Sequence, residues 1–114
     1  TMQSDGALFS GADGGKVLRD LEAAGAAAVG FNCVAADVLT PHLVSKLRRN
    51  VKIPLICKPN AGIPTINDQG TAVYAQTPEE FAGIMRQCRD NGAALLGGCC
   101  GTTPAFIAAL TKSL

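Results

Sequence analysis

The 114-residue chain has no tryptophan, one tyrosine and one histidine, and aromatic residues make up 4% of it. Proteins that grip single-stranded nucleic acid by base stacking need more rings than that. Charged residues are 17% and the net charge is +1. The tightest basic group, Lys46, Arg48 and Arg49, fits the solvated end of a helix. No nucleic-acid partner is therefore expected. No apolar run approaches the roughly 18 residues that span a bilayer, so no membrane partner is expected either. Thr1–Asp5 lacks the basic and apolar regions of an export signal, and the expected location is the cytoplasm.

What is present points to one packed unit. Hydrophobic residues are 47% of the chain, enough for a core and too many for a disordered segment. The length suits about one domain. Five cysteines are an odd number. In a chain without an export signal that argues against a disulfide framework and towards metal binding or catalysis.

The order of elements repeats. Asp13 caps a helix over Lys16–Ala24 that carries Val17, Leu18 and Leu21 on one stripe, and Gly25 stops it. Ala26–Phe31 is a short apolar strand. Thr40-Pro41 opens a second helix, with Leu43, Val44 and Leu47 on one face, ending near Asn50. Ile53–Cys57 is the next strand. Thr77-Pro78 opens a helix lined by Phe81, Ile84, Met85 and Cys88, and Asn91-Gly92 stops it. Ala93–Gly97 is the last strand, and Thr103-Pro104 opens a final helix with Phe106, Ile107 and Leu110. Each Thr-Pro start has a local physical reason. Threonine accepts a bond from an orphan helix N–H, and proline at the first helical position loses none. Thr77 and Glu80 also make a capping-box pattern.

Helices alternating with short apolar strands are parallel β/α units. Right-handed crossovers put every strand's C-terminal end on one edge. Three strands are visible, or four if Thr1–Gln3 is the tail of another. That is too few to close a barrel of about eight. With no Met at position 1 and no opening strand, the pattern predicts a unit cut from a larger barrel. The connection Lys58–Gln76 is long for a β/α loop, which marks it as functional or disordered. Its start, Lys58-Pro59-Asn60-Ala61-Gly62-Ile63-Pro64, reads as rigid.

Cys33 falls just past the first strand, and Cys99 and Cys100 just past the third. All three thus lie on the ligand-binding edge. Three thiols with a fourth place open suit a catalytic zinc. Adjacent cysteines both ligate only if the backbone bends sharply, which Gly97, Gly98 and Gly101 permit. A redox-active vicinal pair, Cys99 with Cys100, is the alternative, and a third is that the thiols are small core residues. Cys57 and Cys88 read as core. His42, at a helix start, reads as a surface residue.

Gly30-Phe31-Asn32-Cys33, Pro59-Asn60-Ala61-Gly62-Ile63-Pro64 and Gly97-Gly98-Cys99-Cys100-Gly101-Thr102-Thr103-Pro104 resemble the homocysteine S-methyltransferase family. Within it, the likeness is strongest to the homocysteine-binding barrel of cobalamin-dependent methionine synthases, and it runs over essentially the whole chain. The resemblance implies residues 1–114 of an α/β fold, the C-terminal half of a (β/α)8 TIM barrel whose N-terminal half is absent. It implies zinc on Cys33, Cys99 and Cys100, with the homocysteine thiol taking the fourth place. It further implies that Asn60 approaches the metal when substrate is absent. The methyl donor would be methylcobalamin on another domain or protein, and the product methionine. A half-barrel lacks much of the substrate pocket, so little turnover is expected from this chain alone. A homodimer of half-barrels would shield the open strand edges. A non-catalytic zinc- or thiol-binding module, or a partner subunit, is the alternative reading.

Overall fold

Backbone hydrogen-bonding needs and the apolar pattern resolve into four α-helices, one short 3-10 turn (Ala36–Val38) and five strands in the computed structural model, which describes residues 1–114. Helix α1 is Gly14–Ala23, strand β1 Val29–Ala35, helix α2 Pro41–Arg48 and strand β2 Leu55–Asn60. The two-residue strands β3 (Thr65–Ile66) and β4 (Ala72–Val73) follow. Helix α3 is Pro78–Asp90, strand β5 Ala93–Leu96 and helix α4 Pro104–Ser113. No helix is long and apolar enough to cross a membrane.

The main sheet is parallel, in the order β1-β2-β5. Its two faces differ. Val29, Phe31, Leu55, Cys57 and Ala93 are buried beneath the helices, in one core with Leu18, Val44, Leu47, Phe81, Met85 and Leu110. Phe81 and Phe106 meet edge to face, with centroids 5.5 Å apart and planes at 79°, the arrangement that ring quadrupoles favour. The opposite face carries Gly30, Asn32, Ile56, Lys58 and Leu95, all partly or wholly exposed. Helices cover one face of the sheet only. Leu21, expected on the buried stripe of α1, is 48% exposed beside the free edge of β1.

The helix starts follow local chemistry closely. Asp13 accepts from the Gly15 N–H at 2.9 Å. Thr40 accepts from the Leu43 N–H and Thr77 from the Glu80 N–H, and Glu80 completes the capping box on the Thr77 N–H at 2.9 Å. Those bonds to Thr77 hold the Glu80 carboxyl below its usual pKa. Thr103 departs from the pattern, since its side chain makes no capping bond to α4.

Three other elements depart from the sequence expectation. Thr1–Gln3 forms no strand; Met2 packs into the core instead. Strand β1 runs on to Ala35, so Cys33 lies within it rather than beyond it. The long connection is ordered by a hairpin, β3-β4. At its tip Asn67 Oδ1 accepts from the Gln69 and Thr71 N–H groups, the Asx-turn device of a short polar side chain.

Candidate metal centre

Strand β1 pairs Asn32 with Lys58 and then Ala35 with Asn60, so it holds one residue more than its partner over that stretch. The surplus makes a β-bulge, a device that re-aims side chains. Cys33 sits in it with φ +57°, the one non-glycine residue of the chain in the left-handed region. Such strain persists only where surrounding structure enforces it, and it concentrates at functional sites. Here the bulge turns the Cys33 thiol towards the loop after β5.

That loop is fastened to β2 along its length. The Gly97 N–H donates to the Cys57 carbonyl, the Cys99 N–H to the Pro59 carbonyl, and the Ala61 N–H to the Cys100 carbonyl, at 2.8 to 3.0 Å. Thr102 closes the turn through its hydroxyl on the Cys99 carbonyl at 2.6 Å. Of the surrounding glycines only Gly101, at φ +77°, needs a left-handed backbone. A Cβ there would also lie 2.3 Å from the Tyr74 ring. Gly98 serves close approach instead, since a Cβ would meet the Thr102 hydroxyl at 2.4 Å.

These two segments bring three thiols together. The Sγ atoms of Cys33, Cys99 and Cys100 all lie within 4.8 Å of one another. Cys99 and Cys100 are 3.9 Å apart, and Cys33 and Cys99 are 2.8 Å apart. Two thiolates on one tetrahedral zinc, each at about 2.3 Å, stand about 3.8 Å apart. The vicinal pair has that spacing already. Cys33 and Cys99 are hydrogen-bonded partners that stand about 1 Å closer than two ligands of one zinc. The bond from Cys33 lowers the Cys99 thiol to about 7, and the same bond pushes Cys33 up to about 11. The two titrate as a pair, with the proton held on Cys33. Three sulfurs on exposed or half-buried residues, one of them readily ionised, fit a soft divalent cation.

Asn60 stands at the end of β2, with its Oδ1 accepting from the Cys100 N–H at 3.1 Å. Its side chain holds the turn that carries the vicinal thiols. Cys57 and Cys88 are buried in the core, away from the cluster, and His42 is exposed on α2. Two contributors carried no assignment in the sequence. Asn32 Nδ2 lies 3.2 Å from Cys33 Sγ and 3.8 Å from Cys99 Sγ. Tyr74, just after β4, lays its ring on Gly101; burial, then the three neighbouring thiols, raise its phenol above the usual pKa. Asn32 had a signal in its place beside Cys33. Tyr74 had none, because it reaches the site through a hairpin.

Parallel β/α folds gather ligands at the C-terminal edge of their sheet, where the thiol cluster of this chain lies. Comparison with known proteins narrows the class. The chain belongs to the homocysteine S-methyltransferase family, whose sequence profile matches residues 1–114. It is 34% identical over 108 residues to methionine synthase of Mycobacterium tuberculosis, covering 94% of this chain and 9% of that protein. It is 35% identical over 89 residues to homocysteine S-methyltransferase 3 of Arabidopsis thaliana, covering 76% and 25%. The apo homocysteine methyltransferase MmuM of Escherichia coli superposes with a TM-score of 0.73 at 30% identity, over all of this chain and 38% of that one. The chain thus spans well under half the length of these relatives.

Proposed function

We propose that this chain is the zinc-bearing, C-terminal half of a (β/α)8 barrel that transfers a methyl group to the thiol of homocysteine, giving methionine. The observation that carries the reading is the meeting of Cys33, Cys99 and Cys100 at the C-terminal edge of a parallel sheet in a member of this family. The half-barrel reading is supported by the sheet's bare second face and by the 38% share of MmuM that the chain covers. Residues 1–114 would then be one partial domain, completed by β/α units from elsewhere.

Cys33, Cys99 and Cys100 would hold the zinc. When bound, zinc offers a fourth place to a substrate thiol and favours its thiolate, a free thiol being mostly protonated at neutral pH. The rest of the chemistry falls to the chain. Cys99 presents a thiolate near neutral pH, and Cys33 gives up its proton as the metal enters. The fastened loop holds Cys99 and Cys100 at ligand spacing in advance, so little ordering entropy would be lost there on loading. In this reading Asn60 comes near the metal when substrate is absent, from its station beside Cys100. The proposed methyl donor is methylcobalamin on another domain or protein, which the match to a methionine synthase supports. Free thiols suit a reducing compartment, in keeping with the cytoplasm.

A thiol-redox reading is the second. The short Cys33–Cys99 distance favours that pair over the vicinal one. Cobalt-substituted chain separates the readings. Adding homocysteine should change the cobalt–sulfur absorption, and adding methionine, which has no thiol, should not. No response to millimolar homocysteine would sink the methyltransfer reading.

A further inference from the structure

Thiolates gathered on a cation keep lone pairs that need donors, and buried or partly shielded negative charge is costly without them. Two backbone donors of the turn that carries the vicinal cysteines are engaged on oxygen, and the Cys100 N–H also lies near enough to Cys99 Sγ to help lower its pKa. The Cys99 N–H goes to the Pro59 carbonyl and the Cys100 N–H to Asn60 Oδ1. One side-chain nitrogen reaches the sulfurs, that of Asn32. It lies on the bare face of β1, next to the bulge, with its amide 3.2 Å from Cys33 Sγ and 3.8 Å from Cys99 Sγ. An amide nitrogen carries two N–H bonds, one for each sulfur. The reverse orientation would set the amide oxygen, an acceptor, against two electron-rich sulfurs.

Asn32 is exposed and its side chain fills no part of the core. Folding alone therefore places little demand on it. On the proposed reading of the site as a metal centre, we infer that Asn32 is a positioning residue: its amide donates to Cys33 and Cys99 and aims both sulfurs at one cation without itself binding it. Donation draws charge from the sulfurs and eases the crowding of three thiolates. It also holds the Cys33 side chain in the direction that the bulge gives it.

The test compares the 114-residue chain with its Asn32→Leu and Asn32→Ala variants. Leucine keeps the size and removes the donor; alanine guards against a leucine that disturbs the sheet. Zinc affinity is read by competition with a coloured chelator, and cobalt(II) is added alone to read the sulfur-to-metal charge-transfer band. Both variants should lose about 10- to 100-fold in zinc affinity, the usual effect of removing a partner behind the ligands. Their charge-transfer band should move to lower energy, because sulfur lone pairs rise when an N–H bond is lost. Thermal unfolding of the metal-free chain should stay unchanged. Affinities within about twofold of the parent, or a loss that tracks poorer folding with the band unmoved, would overturn the inference and leave the metal centre standing. A parent chain that binds neither metal would bring down both.

Discussion

Cys33 combines a strained backbone with a proton it does not readily release. Its left-handed φ of +57° costs an ordinary residue on the order of 1–2 kcal/mol. The bulge imposes that cost and in return sets the thiol 2.8 Å from Cys99. The proton between them divides the pair, with Cys99 lowered to about 7 and Cys33 raised to about 11. Thiolate is the reactive form. Brief alkylation of the metal-free chain at pH 7, followed by peptide mass spectrometry, should therefore label Cys99 ahead of Cys33. The Cys99 rate should climb as pH rises through about 7 and level off above it. A midpoint near the free-thiol value of about 8.5, or Cys33 labelled first, would contradict the hydrogen-bonded pair. The cysteines themselves were legible in the sequence, because glycine-flanked thiols after strands are a chemical pattern. The bulge was not. It depends on how β1 registers against β2, a relation between residues far apart in the chain.

At the scale of elements, what was legible was local. Thr40-Pro41 and Thr77-Pro78 announce helix starts because cap and helix lie within four residues of each other. Thr103-Pro104 carries the same letters, yet its hydroxyl makes no capping bond. The two threonines should therefore differ in worth. Thr77→Ala should cost about 1 kcal/mol of stability in urea unfolding, whereas Thr103→Ala should stay within about 0.5 kcal/mol. Equal losses would show that the capping box adds nothing. The hairpin β3-β4 escaped the sequence because its strands are two residues long and expose their side chains. Periodicity has no purchase on so short a run. That hairpin brings in Tyr74, whose ring closes over Gly101 at the site.

The whole molecule has a covered face and an open one. Gly30, Ile56 and Leu95 line up across the bare side of the sheet, and β1 and β5 are free edges. Beside β1 lies an open groove of about 390 Å³ lined by Leu21, Ala26 and Val29, among others. Open strand edges and an apolar face favour association. The proposed pairing of half-barrels predicts a dimer that grows with concentration in sedimentation equilibrium. Leu95→Lys, at a residue 48% exposed on that face, should weaken it. A monomer throughout would leave the face to some other partner and remove the homodimer. The alternation that exposes this face is written in β1 and β2 by Asn32 and Lys58, but each strand offers only two such positions, too few to stand out in a reading by composition.

The proposed metal centre does not depend on that assembly, because all three thiols come from one chain. Zinc content per chain, in the purified protein and in Cys33→Ser, tests it most directly. The account predicts about one zinc per chain, lost or greatly weakened in the variant, because catalytic zinc keeps three protein ligands. A parent chain that holds no zinc and takes up none when it is supplied would contradict the account.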